Sequence, residues 1–391
     1  MYIAGGNGVG VHYLQPSIPA RQPNLANLDL STIIASGSGS GSSQSAPLAT
    51  ASGDIEGNGA SDLVVGQSVR YGQGPRDGVE VYRIVSGLEP ELLAHLAAFD
   101  NTGTSNSGNL AAGDVDPSEP GDEIVVGEDG SCRRAARLRI FGGLASGNLH
   151  LLHELRALPS RSATRQPVSF VLGNVFPDAD HPGQEIVVGG GKGDVYVYGV
   201  SNGRAVRLQR FLAFPDRPHT SAHKIAVGDV LADNPGEEII VADDGRRQDG
   251  LVRVFDGRTG KRLLEFEAFE RGQAPAGVEL WAADTIAALP GAELIVGQGR
   301  AGGRIRVFTL AGGVPKLVLE LPDPLHRATS LSRLLAIGHL VPDLDANQIA
   351  VAQADSQLPV QVFDVKADGA DLLTSVNVSG DGQIGAITVG H

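Results

Sequence analysis

Short apolar segments recur along this chain at nearly regular intervals, separated by turns rich in glycine, proline and acidic residues. One repeating unit reads apolar-Ala-x-Gly-Asp-Val, an acidic turn, Glu-Ile-Val-Val-Gly, Val-Arg-Val-Phe-Asp-Gly and Leu-Leu-x-x-Phe-x-Ala-Phe. The glycine that closes the first segment, or the alanine that replaces it, is found at Gly53, Gly113, Gly173, Gly228, Ala283 and Gly338. Successive units are therefore 60, 60, 55, 55 and 55 residues apart, and this regularity indicates a repeat fold.

Each unit predicts four β-strands. The second segment is an apolar run too short for a helix, as in LVVG at 63–66 and IVVG at 124–127 and 186–189. The third segment alternates, and its β-branched and aromatic residues predict a half-buried strand; the six copies begin at Val79, Leu138, Val195, Val252, Ile305 and Val360. Four short strands per unit, without helical patterns between them, are typical of the blades of a β-propeller.

The two chain ends predict a seventh unit. Residues 2–14 align with 186–199 of a full unit, whereas 384–391 align with the first strand at 224–230. The C-terminus would supply the innermost strand and the N-terminus the outer strands, which would leave no free sheet edge at the closure. We therefore predict an all-β fold, a seven-bladed β-propeller of four-stranded antiparallel blades in which N- and C-terminal strands share one blade.

These alignments divide the chain as one propeller over 1–391. Residues 1–34 are the outer strands of the split blade, 35–45 a Gly/Ser-rich linker, 46–382 six full blades, and 383–391 the innermost strand of the split blade. The linker is read either as a natural tether or as an engineered joint in a circularly permuted chain, and the sequence leaves both open.

Composition narrows the possible functions. The chain has 53 Gly, 22 Pro and 19% charged residues, which suits tight turns, and its formal net charge of −14 argues against a nucleic-acid partner. A lone cysteine cannot form an internal disulfide. No apolar run is long enough for a transmembrane segment, and no export signal is recognised, so an export signal would have to be missing from this chain.

Charge is distributed unevenly between two sets of loops. The turns after first strands are mostly acidic, whereas the loops after second strands and the connections between blades are rich in arginine. Propeller topology places these two sets on opposite faces, so we expect a ligand-binding face that carries Arg70, Tyr71, Arg76, Arg133, Arg134, Arg161, Arg165, Arg246, Arg247 and Arg300, with Arg217, Arg271 and Arg327 on the same side. The alternative is that these arginines only solvate long loops.

The segments GDIEGNGASDLVVG at 53–66, GDVDPSEPGDEIVVG at 113–127 and VRVFDGRTGKRLLEFEAF at 252–269 resemble FG-GAP or VCBS-like repeats, as in the propeller of integrin α subunits and bacterial relatives. The resemblance implies extracellular binding or adhesion. It also implies calcium in the turn after a first strand, and the best match to that pattern is Asp54, Glu56, Asn58 and Asp62. In the other copies Pro-Gly turns replace the pattern, and there the acids are expected to cap backbone amides.

Three hypotheses of function follow. The first is a non-enzymatic extracellular or cell-surface module, acting as a monomer, that binds an acidic protein or an anionic glycan. The second is a polysaccharide lyase or hydrolase on a propeller scaffold, because active sites are not tied to folds. The third is a structural subunit of a surface assembly. No GxSxG, HExxH or phosphate-loop motif supports the second hypothesis.

Overall fold

The computed structural model describes residues 2–5, 8–11, 32–36, 49–67, 78–85, 90–99, 109–128, 136–159, 168–201, 203–217, 222, 224–243, 250–274, 277–299, 303–321, 333–341, 343–353, 358–376 and 384–389. Within these residues the protein consists of β-strands and three short 3₁₀ turns, at Leu144–Ser146, Gly191–Gly193 and Ala311–Gly313. No helix in the described part of the chain is long and apolar enough to span a bilayer.

The strands of the six full units lie where the sequence predicts them, and further strands form at the chain ends. The N-terminal strands are β1 (Tyr2–Gly5), β2 (Gly8–Val11) and β3 (Thr32–Ser36). Blades one to three consist of β4 (Ala49–Gly53), β5 (Asp62–Gln67), β6 (Gly78–Arg83), β7 (Glu91–Leu96); β8 (Asn109–Gly113), β9 (Glu123–Gly127), β10 (Arg137–Gly142), β11 (His150–Arg156); and β12 (Ser169–Gly173), β13 (Glu185–Gly189), β14 (Asp194–Ser201), β15 (Arg204–Leu212).

Blades four to six continue the same order. They consist of β16 (Lys224–Gly228), β17 (Glu238–Ala242), β18 (Leu251–Asp256), β19 (Arg262–Glu267); β20 (Val278–Ala283), β21 (Glu293–Gln298), β22 (Ile305–Thr309), β23 (Lys316–Leu321); and β24 (Arg333–Gly338), β25 (Gln348–Gln353), β26 (Val360–Lys366), β27 (Gly369–Val376). The last strand is β28 (Ile384–Val389).

Each of these six blades is an antiparallel sheet in which chain neighbours are also sheet neighbours. The pairing of the third and fourth strands shifts at the same point in every blade, for example between Val81 and Tyr82 in blade one and between Val254 and Phe255 in blade four. A β-bulge here twists the outermost strand and makes the exposed sheet edge a poor template for pairing with another chain.

The hydrophobic core lies between successive blades. One cluster joins Ile240 and Val254 of blade four to Leu294 and Val296 of blade five, and comparable clusters join the other neighbouring pairs from blade one to blade six. The second strands, which lie inside these sheets, are buried along their whole described length. A blade therefore cannot bury both of its faces alone, which is the reason why the sequence must repeat.

A repeated backbone hydrogen bond ties neighbouring blades together near the axis. The residue directly before each of these second strands donates its backbone N–H to a carbonyl of the preceding blade. The bonds run from Asp122 to the Asp54 carbonyl, Gln184 to Asp114, Glu237 to Asn174, Ala292 to Asp229 and Asn347 to Asp284, at 2.7–3.1 Å.

The first strands approach each other closely at these contacts. A Cβ at Gly228 would lie 2.6 Å from the Cβ of Ala282 in the next blade. That distance is too short for two carbon atoms, so the glycine is needed for the close approach of the two strands.

The chain ends form a sheet of a different kind. Its order is β2-β1-β3-β28, with β3 parallel to β1 and antiparallel to β28. Strand β28 packs between β24 of blade six and β4 of blade one. The prediction of seven four-stranded antiparallel blades is wrong, because the described residues form six such blades and this mixed sheet.

The physical reason lies in the connection before β3. Residues 12–31 separate β2 from β3, more than the dozen or so residues that a parallel crossover connection needs. A connection of this length permits β3 to lie parallel to β1, between β1 and β28. It extends to Ser36, so Ala35 and Ser36 of the predicted linker belong to a strand, while 37–45 lie outside the described residues.

Candidate functional site

The loops that join first and second strands form one face of the ring, which we call the acidic face. It comprises 54–61, 114–122, 174–184, 229–237, 284–292 and 339–347, and these loops contain 14 Asp and Glu residues but no Lys or Arg. Seven of the acids are exposed: Asp114, Asp180, Asp229, Asp233, Asp284, Asp343 and Asp345. The face therefore attracts cations and repels anions.

A buried acid supports the turn of this face in blade two. Glu123, the first residue of β9, is fully buried, and its Oε2 accepts the N–H groups of Val115 and Asp116 at 3.0 and 2.8 Å. Without this acceptor two buried amide groups would lose their partner, at a cost of about 1–3 kcal/mol each.

The same position supports the turn in blades three to six, and in each of them the side chain is fully buried. Glu185 accepts the N–H groups of Val175 and Phe176, Glu238 that of Leu231, Glu293 those of Thr285 and Ile286, and Gln348 those of Leu340 and Val341, at 2.7–2.9 Å. We call Glu123, Glu185, Glu238, Glu293 and Gln348 the turn-bracing residues.

Burial disfavours the charged form of these acids. It raises the pKa of Glu123 to about 8 and the pKa values of Glu185 and Glu238 to about 7, and it also raises the pKa of Glu293. The amide hydrogen bonds act in the opposite direction but do not overcome it. Because the shifts follow from a repeated structural contact, they do not by themselves indicate catalysis.

The turn-bracing residues were not recognised from the sequence as a group with one role. The available signal is an acid or amide that directly precedes a fully apolar second strand, at the same position in successive units. Alternation predicts that such a residue ends the strand at the surface, and only the packing of the turn over it shows that it is buried.

The candidate calcium residues lie together in the turn of blade one, where they are already hydrogen-bonded. Asp54 accepts the N–H groups of Asn58 and Gly59 through its two oxygens, at 2.8 and 2.7 Å. Asp62 is buried and accepts the N–H of Glu56 at 3.0 Å; its pKa is raised to about 6, mainly by burial.

Glu56, another candidate calcium ligand, is already paired with an arginine. Both oxygens of Glu56 accept hydrogen bonds from Arg83 of β6, at 2.7 and 2.5 Å. Asn58 Oδ1 accepts the N–H of Ala60 at 2.9 Å. Among the described residues no group of three or more His, Cys, Asp or Glu side chains is arranged to hold a metal. Calcium would have to compete with Arg83, and the calcium site stays a prediction.

The predicted ligand-binding residues, Arg70, Tyr71, Arg76, Arg133, Arg134, Arg161, Arg165, Arg246, Arg247 and Arg300, lie outside the described residues. Two arginines from the connections on the same side are described. Arg271 is exposed, whereas Arg217 is mostly buried and donates to Asp243 Oδ2 at 3.0 Å. Arg217 therefore stabilises the loop and is not free to bind a ligand.

Three other arginines join neighbouring blades, a role that the sequence did not suggest. Each lies on a third strand, donates to the carbonyl of an Ala-Phe pair in the preceding blade, and places its guanidinium over the phenylalanine ring. The contacts are Arg139 with Ala98 and Phe99, Arg253 with Ala213 and Phe214, and Arg306 with Ala268 and Phe269, with carbonyl distances of 2.7–2.8 Å.

Comparison with known proteins supports the fold. The chain is similar to a chain in the crystal structure of the mitotic checkpoint complex, with 12% identity, a TM-score of 0.53, and coverage of 98% of this chain and 92% of that one. For Saccharomyces cerevisiae Sqt1 the values are 8%, 0.51, 86% and 76%. For Chaetomium thermophilum Raptor they are 14%, 0.52 and 85%, and the match spans 25% of the Raptor chain.

At these identities the likeness shows the fold alone, and the prediction of a β-propeller is confirmed. No protein-family model matches the sequence, and no curated protein matches it. The finer assignment to FG-GAP or VCBS-like repeats therefore stays a prediction.

Proposed function

We propose that this protein is a non-enzymatic binding module that holds an acidic protein or an anionic glycan on the face opposite the acidic face. The observation that carries the proposal is the separation of charge between the two sets of loops. One set has 14 acids and no Lys or Arg, and the other set contains the ten candidate ligand-binding residues, nine of them arginines.

This separation of charge favours the binding of an anionic ligand on one face only. The acidic face repels a polyanion, which favours binding of such a ligand on the other side. Arginine there offers paired N–H donors that match carboxylate and sulfate groups. A propeller scaffold suits this role because its loops can vary while the blades hold them in place.

The absence of enzymatic activity is part of the proposal. Glu123 and Glu185, whose pKa values are raised, are committed to turn hydrogen bonds, so their raised pKa values already have a structural explanation. The resemblance of the repeats to integrin-type propellers supports a location outside the cell or at its surface, where the module would act as a monomer.

The test is binding to an immobilised sulfated polysaccharide and to an immobilised acidic protein. We expect retention that weakens as salt rises from about 50 to about 500 mM, because added ions screen exposed charges. Charge reversal of Arg133, Arg134, Arg246 and Arg247 to Glu should abolish it. Retention that is unchanged in this variant would contradict the proposal.

A matched control alters the opposite face. Changing Asp180, Asp233, Asp343 and Asp345, all exposed, to Lys reverses the same number of charges. This control should bind as well as the wild type or better. Loss of binding in the control alone would place the ligand on the acidic face, and turnover of a polyanionic substrate would support an enzyme instead.

A further inference from the structure

Blade six contains a natural neutral version of the turn-bracing residue. Gln348 Oε1 accepts the N–H groups of Leu340 and Val341, as a glutamate oxygen does in blades two to five, and its Nε2 donates to the carbonyl of Ala346. An amide cannot ionise. The pocket under the turn is therefore satisfied by an uncharged side chain that accepts through one atom and donates through the other.

In three blades the bracing glutamate has one oxygen for which the described residues provide no hydrogen bond. Oε1 of Glu123, Glu185 and Glu293 is buried and has no hydrogen-bond partner among the described residues. A charged carboxylate with one buried oxygen unsatisfied pays a desolvation cost, whereas a carboxylic acid has a hydroxyl in place of the amide group of Gln348. The protonated form therefore avoids the cost of burying a charge at this position.

No basic side chain in the described part of the chain compensates for charge at these positions. The described residues contain no ion pair between a basic side chain and Glu123, Glu185 or Glu293. The charged groups that face Glu123 are Asp114 and Asp116, with His153 of β11 paired to Asp116, and on the β10 side it packs against Gly142.

The other two glutamates have similar surroundings. Glu185 faces Asp178, which is paired with His181, and Glu293 faces Asp284. These acids add repulsion to the effect of burial, and all of them raise the pKa of the bracing glutamate.

We propose that the acidic face is a pH-responsive surface, in which Glu123, Glu185 and Glu293 are uncharged in the closed turns and loss of their protons to solvent loosens those turns. The turn of blade six, braced by Gln348, does not respond. The inference does not depend on which ligand the other face binds. Glu185 shows the direction of the pH dependence, because its pKa in the folded protein, about 7, lies above its ordinary value of 4.5. The contribution of Glu185 to the stability of the closed turn is complete below its ordinary pKa and is lost as pH rises through its pKa in the folded protein.

The test is hydrogen exchange of the turn amides from about pH 5 to about pH 9, corrected for intrinsic exchange. Protection of Val175 and Phe176 should fall by up to tenfold per pH unit until Glu185 ionises in the closed turn, and then level off. Protection of Leu340 and Val341 in the same molecule should stay constant.

Two reciprocal variants separate this proposal from general loosening. Glu185→Gln should make the protection of Val175 and Phe176 independent of pH, while blades two and five keep their response. Gln348→Glu should introduce the response into blade six and remains informative if the first variant fails to fold. Constant protection of Val175 and Phe176 in the wild type, or a carboxyl carbon of Glu185 that titrates near its ordinary value, would overturn the proposal.

Discussion

Arg253 provides a quantitative test of how neighbouring blades are held together. Only 2% of its side chain is exposed, and its guanidinium lies 5.0 Å from the centre of the Phe214 ring. It donates to the Ala213 carbonyl at 2.7 Å, to both oxygens of Asp216 at 2.7 and 2.9 Å, and to Glu265 at 2.6 Å. The substitution Arg253→Met keeps most of the apolar stem and removes these contacts.

The expected loss in the free energy of unfolding depends on the groups that lose Arg253 as a partner. Asp216 and Glu265 are 56% and 40% exposed, so water can solvate them after the change. The Ala213 carbonyl loses its buried donor, which costs about 1–3 kcal/mol, and loss of the cation–π contact costs about 1 kcal/mol. We therefore expect Arg253→Met to lower the free energy of unfolding by about 2–4 kcal/mol.

Denaturant unfolding monitored by circular dichroism and by fluorescence measures this loss, and the two probes together test whether unfolding is two-state. Arg262→Met is the matched control in the same blade, because Arg262 is half exposed and pairs with Glu265 on the surface. It should lose no more than about 0.5 kcal/mol. A loss below about 1 kcal/mol for Arg253→Met, or equal losses in both variants, would refute the reasoning.

The ion pair between Arg253 and Asp216 also predicts a change in stability at low pH. Arg253 lowers the pKa of Asp216 from 3.8 to about 2, mainly through the side-chain hydrogen bond. This contribution is present above the ordinary value and is lost as pH falls through the lowered one. The difference in stability between wild type and Arg253→Met should therefore narrow between about pH 4 and about pH 2.

Three further predictions use other contacts. Gly228→Ala should destabilise the protein by about 1–3 kcal/mol, because the new Cβ would meet that of Ala282; Gly369→Ala, where a Cβ meets nothing within 4 Å, should be neutral, and equal thermal midpoints for the two would contradict this. Lys192→Gly should raise the free energy of unfolding by about 0.5–1 kcal/mol, because Lys192 is exposed and has φ 61°, and Lys192→Ala should give no such gain in the same denaturant assay. If calcium binds the turn of blade one, free calcium at a hundredfold excess over the dissociation constant should raise the free energy of unfolding by about 2.7 kcal/mol, and Asp54→Ala should remove this increment. The absence of binding heat in titration calorimetry would contradict a calcium site in this turn.

The regularity of the sequence determined the blades. Strand positions follow from local alternation, since successive side chains in a strand point to opposite faces and a blade buries both faces against its neighbours. The apolar runs of the second strands therefore predicted their own burial, as at Val125 and Ile240, which are both fully buried. The acidic turns and arginine-containing loops were likewise read from composition, because topology assigns alternate loops to opposite ends of the sheets.

The tertiary structure decided what depends on contacts between distant segments. The pairing of β3 between β1 and β28 joins residues at opposite ends of the chain, and local patterns do not specify whether such strands run parallel. Arg253 alternates with buried valines and thus resembles an exposed residue, but the Ala-Phe pair of the preceding blade covers it. Glu185 resembles the polar end of a strand, yet the turn folds over it, because buried amides require an acceptor that only the folded ring brings into place.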